Sequence, residues 1–321
     1  MTGADRKVVG WPLAPKAITG IPHPIPYQGS KRQLARMIVG FLPPQTDRLI
    51  EPFAGSAAVS IAAAYLGAAR RFWLNDAHAP LMALWREIIG SPQTLASDYK
   101  KIWTQQLGDE RNFYDVVRQR FNGLQKPEDF LYLLARCVKA AIRYNSKGQF
   151  NNSPDNRRKG ARPETMERHI QGAAALLRGR TELTTGDYAA VLRAATPHDV
   201  VYMDPPYQGV CNTRDHRYAK AVHVADFIDG LTQLNARAVP FIISYDGRTG
   251  DKTFGQPLPR SLGLEHIEVR VGRSTQATLL GRNHWTYESL YLSPALPKVA
   301  RRQGNLRLFP DMEHEQPAVF A

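Results

Sequence analysis

Cysteine is scarce: Cys137 and Cys211 are the only two in 321 residues, and neither stands in a metal-ligand spacing, which excludes a disulfide scaffold and a cysteine-built zinc site. Long apolar runs are missing too, since the most apolar stretch, Ala57 to Leu66, falls short of the roughly 20 residues a membrane helix needs. The first residues lack the basic-then-apolar pattern of a secretory start, so a reducing cytoplasm is expected. No Walker lysine, H-E-x-x-H pair or nucleophile elbow occurs, and the nine histidines form no ligand spacing. Acid is the charge in short supply, with Asp+Glu 29 against Lys+Arg 42 and a net charge of +13. Such a field attracts phosphate backbones, and nucleic acid becomes the leading partner. With 43% apolar and 22% charged residues the chain has ordinary globular usage and length for a large core, so a disordered, collagen-like or coiled-coil chain is excluded.

What is present is an alternation of strand and helix. Residues 1–26 hold five prolines and little periodicity, and are expected to form an extended, loosely packed segment. Ser30 is expected to cap a helix carrying Leu34, Met37, Ile38 and Phe41, which Pro43-Pro44 stops. A strand over Arg48 to Glu51, a Pro-Phe-Ala-Gly turn, an Ala-rich helix from Ser56 to Leu66 closed by Gly67, and a strand over Arg71 to Leu74 read as the opening half of a doubly wound α/β sheet. Further strands are expected at Val200–Met203, Phe241–Tyr245, His266–Val271 and Glu288–Leu292. Residues 27–80 and 170–295 are thus expected to form one α/β domain, and 81–169 a mostly helical insertion. Residues 136–168 of that insertion carry nine Lys/Arg against three acids, which makes it the expected nucleic-acid contact. Residues 296–321 form a polar tail, and no internal repeat is visible.

The sharpest signal is Val200-Val201-Tyr202-Met203-Asp204-Pro205-Pro206-Tyr207. An apolar strand delivers an acid to the carboxyl end of the sheet, where open α/β folds bind ligands, and two prolines fix the turn that presents an aromatic ring. The Asp204 carboxylate and the Pro205 carbonyl can both accept from an exocyclic amino group while Tyr207 stacks on the base face.

Four motifs in this order, Tyr27-Gln28-Gly29-Ser30-Lys31, Glu51-Pro52-Phe53-Ala54-Gly55, Arg143 to Asn151 and Asp204-Pro205-Pro206-Tyr207, resemble the Dam-like (D12 class) N6-adenine-specific DNA methyltransferases of the alpha motif group. The resemblance runs from about Tyr27 to Leu292 and implies a Rossmann-like methyltransferase sheet with an inserted target-recognition domain. It implies S-adenosylmethionine as cofactor and double-stranded DNA as partner, with methyl transfer to a flipped adenine. Asp204, Pro205, Pro206 and Tyr207 would be catalytic, and Tyr27, Gly29, Lys31, Glu51, Phe53, Gly55, Asp76, Asp187 and Asp204 cofactor-binding. Lys31 and Tyr27 would lie at the methionine end, and Asp187, followed by Tyr188, near the adenine. Asp76, 25 residues beyond Glu51, reads equally as the ribose ligand and as a helix N-cap. Arg143, Tyr144, Asn145, Lys147, Arg157, Arg158 and Lys159 would touch DNA, with Tyr144 as a wedge.

Past Asn151 the chain departs from the family's usual Asn-Val-Pro-Phe, which leaves the recognition sequence open. An RNA adenine-N6 methyltransferase, a cytosine-N4 enzyme and a non-catalytic DNA-binding remnant stay as alternatives. A cognate restriction endonuclease is a candidate partner. Asn305-Leu306-Arg307-Leu308-Phe309 resembles the Gln-Leu-x-Leu-Phe peptide that binds the bacterial sliding clamp, with Asn in place of Gln. A nucleoid-associated cytoplasmic location is expected.

Overall fold

Short runs rich in β-branched and aromatic residues assemble into a nine-stranded sheet in the computed structural model, which describes residues 7–9, 20–206, 222–249, 252–254, 257–273 and 285–297. In chain order the strands are β1 Lys7–Val9, β2 Thr46–Glu51, β3 Ala69–Asp76, β4 Thr181–Thr185, β5 Asp199–Met203, β6 Phe241–Thr249, β7 Lys252–Phe254, β8 Glu265–Arg273 and β9 Trp285–Leu292. They lie in the order β1-β8-β9-β6-β5-β2-β3-β4, with β7 paired to β6. Strand β9 runs antiparallel to β6 and β8, and the β7 pairing is also antiparallel; the remaining neighbours are parallel.

The chain steps outward from β2 through β3 to β4 and then returns to the other side of β2 as β5. That reversal sets the carboxyl ends of β2 and β5 side by side, at the kind of switch point where doubly wound sheets bind ligands. At the opposite ends of the same two strands, Arg48 pairs bidentately with Asp199 at 2.7 and 2.9 Å, which pins their register.

The helices are α1 Ala35–Gly40, α2 Ala58–Tyr65, α3 Ala79–Gly90, α4 Pro92–Gln105, α5 Glu110–Leu124, α6 Pro127–Arg136, α7 Pro163–Leu177, α8 Tyr188–Ala194 and α9 Val224–Ala236. Helix α2 begins two residues later than its sequence suggests because Gly55 and Ala57 adopt φ of +50° and +47°, left-handed conformations that cannot join a right-handed helix. Ser30 does not cap a helix as expected: its hydroxyl pairs with that of Ser56 at 2.7 Å, and a 3₁₀ turn over Lys31–Gln33 precedes α1. Strand β4 escaped the sequence because this half-exposed edge strand is Thr-rich and lacks an alternating apolar face.

Helices α3 to α7 lie in sequence between β3 and β4, and their apolar faces join the sheet's own core: Leu81, Trp85, Phe121, Phe130 and Ile170 belong to one cluster with Leu49, Phe72 and Leu74. Ile21 and Ile25 are buried in it as well, so this part of the N-terminal segment is packed rather than loose. Among the described residues no helix is long and apolar enough to cross a membrane, and no group of His, Cys, Asp and Glu could hold a metal ion. Tyr207, Cys211 and the 305–309 peptide lie outside the described residues.

Candidate active site

A cavity of about 1100 Å³ opens at the carboxyl ends of β2, β3, β4 and β5. All nine residues expected to bind cofactor line it: Tyr27, Gly29 and Lys31 from the segment before α1, Glu51, Phe53 and Gly55 from the turn after β2, Asp76 from the end of β3, Asp187 before α8, and Asp204 after β5. Pro205 and Pro206 line it too.

The turn after β2 is held open by the strand beside it. Buried Asn75 donates from Nδ2 to the carbonyls of Pro52 and Gly186, each at 3.0 Å, and accepts from the Thr184 hydroxyl at 2.8 Å. One side chain thereby ties the ends of β2, β3 and β4 together. Trp85 donates to the Gly55 carbonyl at 3.0 Å from beneath. Gly55 has a second reason to be glycine: a Cβ there would stand 3.3 Å from the Tyr27 ring, besides the strain of its positive φ.

Of the carboxylates that line the cavity, Glu51, Asp76 and Asp204 stand in different surroundings. Glu51 is 3% exposed, and Oε1 accepts from the Ser60 amide at 2.7 Å; burial, with the Asp204 charge adding to it, raises its pKa from 4.5 to about 7. Asp76 accepts from the amides of Gly55 (3.0 Å) and His78 (2.9 Å), and burial lifts its pKa against those two bonds. The expectation that Asp76 caps the next helix is corrected here: α3 starts later, and His78 is the N-cap, its Nδ1 accepting from the Leu81 amide at 3.1 Å. Asp204 forms an ion pair with Lys31 Nζ at 2.9 Å. Lys31 also stands 3.7 Å from Glu288 on β9, and burial raises the Glu288 pKa. The lysine thus lies against the Asp-Pro-Pro acid. Asp187 caps α8, accepting from the Ala189 amide at 2.9 Å, and the Tyr188 ring beside it packs against Phe53 at a 31° tilt with centroids 4.9 Å apart.

The residues expected to touch DNA lie outside the cavity lining. Arg143 to Asn151 is a hairpin, with a bridge between Tyr144 and Phe150 and a tip closed by Asn145, whose Oδ1 accepts from the amides of Lys147 (2.9 Å) and Gln149 (3.0 Å). Arg143 and Lys147 are exposed on it. Tyr144 is half-buried, its ring edge-on to Phe150 and its hydroxyl 2.7 Å from His78 Nε2, so the side chain lies against the core and does not project as a wedge in this structure. Arg157 and Arg158 are 86% and 59% exposed and both pair with Asp155, while Lys159 pairs with Glu110. Arg136, counted with the basic run, is buried and donates to the Asp155 and Glu110 carbonyls, which removes it from any surface contact.

Sequence reasoning passed over His78, Asn75 and Glu288. Of these only Glu288 had a visible signal, the one charged residue in a strand of aromatic, leucine and hydroxyl side chains.

A doubly wound sheet with an Asp-Pro-Pro acid, a buried Glu51 and further carboxylates around one cavity at its switch point defines a Rossmann-like methyltransferase fold. The model of the D12 class N6 adenine-specific DNA methyltransferases matches residues 27–274, and the chain belongs to that family. It is 33% identical over 195 residues to a DNA N-6-adenine-methyltransferase of Escherichia phage P1, a stretch covering 58% of this chain and 24% of that protein. It is 29% identical to the retron Ec67 DNA adenine methylase of Escherichia coli over 73% of this chain and 82% of that protein. To the type II methyltransferase M.CviBI of Paramecium bursaria Chlorella virus NC1A it is 29% identical over 40% of this chain and 47% of that protein.

Proposed function

We propose that this chain methylates N6 of a flipped adenine in double-stranded DNA, with S-adenosylmethionine as methyl donor. The observation that carries the reading is that Asp204 and Pro205 open onto the same cavity as Glu51, Phe53, Gly55 and Asp76. The donor set fits an adenosyl sulfonium: buried Glu51 and partly buried Asp76 for positive charge and hydroxyl donors, the Phe53 ring for a base face, and a glycine whose Cβ would crowd the Tyr27 ring at 3.3 Å. Asp76 would hold ribose hydroxyls, Asp187 and Phe53 the adenine end, Glu51 the cationic part, and Tyr27, Gly29 and Lys31 the methionine end. When bound, S-adenosylmethionine supplies an electrophilic methyl group.

The chain's own work is positioning. Adenine N6 is a poor nucleophile because its lone pair is delocalised into the ring. Accepting hydrogen bonds at Asp204 and at the Pro205 carbonyl would favour a more tetrahedral nitrogen. Asp204 would also stabilise the positive charge that develops on N6, and Lys31 fixes the orientation of that carboxylate. Tyr207 is proposed to stack on the base. Extruding the base costs a few kcal/mol, offset by cationic contacts from the helical region over 81–169, which is the proposed target-recognition unit. A cognate restriction endonuclease, the sliding clamp and a nucleoid-associated cytoplasmic location belong to the same proposal.

Expression in a host without DNA methylation of its own, followed by single-molecule sequencing, tests the reading. N6-methyladenine in one recurring sequence is expected. Unmodified DNA, from a protein that binds S-adenosylmethionine by calorimetry, would favour the non-catalytic alternative.

A further inference from the structure

His78 stands at the joint between the cavity and the hairpin, and each of its polar atoms is committed. Its backbone amide donates to Asp76 at 2.9 Å, and Asp76 in turn accepts from Gly55. Its Nδ1 accepts from the Leu81 amide as the cap of α3. A neutral imidazole that accepts at Nδ1 carries its proton on Nε2, so the 2.7 Å contact is a hydrogen bond from Nε2 to the Tyr144 hydroxyl. The ring itself is enclosed by Phe130 and Tyr144, with centroids at 5.4 and 5.5 Å, and burial lowers its pKa to about 4, which keeps it neutral. His78 lines the cavity, whereas Tyr144 lies beyond the lining, in the hairpin.

We propose that His78 is a positioning residue that couples occupancy of the methyl-donor cavity to the 143–151 hairpin through its bond to the Tyr144 hydroxyl. The inference rests on the donor reading of the cavity given above. A ligand held by Asp76 and the turn at Gly55 orders the backbone from which the imidazole projects, and the imidazole sets where Tyr144 is stowed. Rigidity gained on the cavity side is thereby delivered to the segment proposed to meet DNA, a coupling of local opening equilibria rather than a large movement.

Hydrogen–deuterium exchange with and without S-adenosylhomocysteine, the unreactive demethylated analogue of the donor, tests this without requiring the recognition sequence. In the unaltered chain the analogue should slow exchange in peptides over 51–58 and 76–82, and by at least about fivefold in 143–151, the lower range of ordinary allosteric couplings. Tyr144→Phe removes the acceptor and keeps the ring. His78→Asn keeps a side-chain oxygen for the α3 cap and is too short to reach Tyr144. Each should cut hairpin protection below about twofold, and the double variant should be no worse than either alone. Residues 138–142 serve as the control, because Ala140 and Ile142 line the cavity directly and should stay protected in every variant. Protection of the hairpin that survives in both single variants, or cavity protection that never reaches the hairpin in the unaltered chain, would overturn the coupling alone. An analogue that protects none of these peptides would overturn the donor reading and the coupling with it.

Discussion

Glu51→Gln is a perturbation whose size can be worked from the site. Glu51 is buried, one oxygen accepts from the Ser60 amide, and desolvation with the Asp204 charge behind it raises its pKa from 4.5 to about 7. Below pH 4.5 both folded and unfolded chains hold the proton, and the residue contributes nothing to pH dependence. Between 4.5 and 7 the unfolded chain loses it while the folded chain keeps it, so stability falls as pH rises and levels off above 7. The gap of about 2.5 units at 1.36 kcal/mol each amounts to about 3 kcal/mol. Gln keeps an oxygen for Ser60 and cannot titrate, so Glu51→Gln should gain about 3 kcal/mol relative to the unaltered chain between pH 4.5 and pH 8. Urea unfolding of both proteins at those two pH values, without donor, reads the difference, because titrations not coupled to Glu51 cancel. The same variant should bind S-adenosylmethionine at least about tenfold more weakly by calorimetry at pH 8, since a charged acceptor has been replaced by a neutral one. A stability difference equal at both pH values would refute the buried-acid argument.

Asp204→Ala should bind donor and duplex but lose methyl transfer by about two to three orders of magnitude in single-turnover assays, the scale of one preorganised electrostatic contact. Near-normal transfer would remove Asp204 from the chemistry. Because Arg157 and Arg158 share the carboxylate of Asp155, Asp155→Asn should release both guanidinium groups, strengthen duplex binding at low salt and steepen its salt dependence by about one to two phosphate contacts. Filter binding across a salt series checks it, and an unchanged slope would make the run a solvated face. A peptide spanning Val299 to Glu313 should bind a bacterial sliding clamp at about micromolar strength and lose most of it with Leu308→Ala and Phe309→Ala; no binding at hundreds of micromolar would retire that partner.

The parts of the site that were legible are those in which a backbone demand and a chemical demand fall on the same few residues. Asp204-Pro205-Pro206 follows an apolar strand buried on both faces, and Glu51 to Gly55 is a turn whose glycine has a positive φ, so motif and fold point to one place. Strand alternation located β2, β3, β5 and the centre of β8 for the same reason. Edges were not legible: β4 pairs on one side only, so its threonines meet no apolar requirement.

Charge misled because a count of basic residues does not show which of them are already paired. Residues 136–168 look like a bare basic surface, yet Glu110 takes Lys159, backbone carbonyls take Arg136, and Asp155 takes two arginines within three positions of itself. Nothing local distinguishes an arginine that reaches solvent from one that closes a core. His78 is the sharper instance: a lone histidine after Asn75-Asp76 reads as solvated, and only the folding of residues 66 positions apart brings Tyr144 to its Nε2. Chemistry that needs one strand end is written in the strand. A connection between two ligand surfaces needs a contact between distant segments, and emerges only when α3 and the hairpin are packed against the same core through Leu81, Phe130 and Phe150.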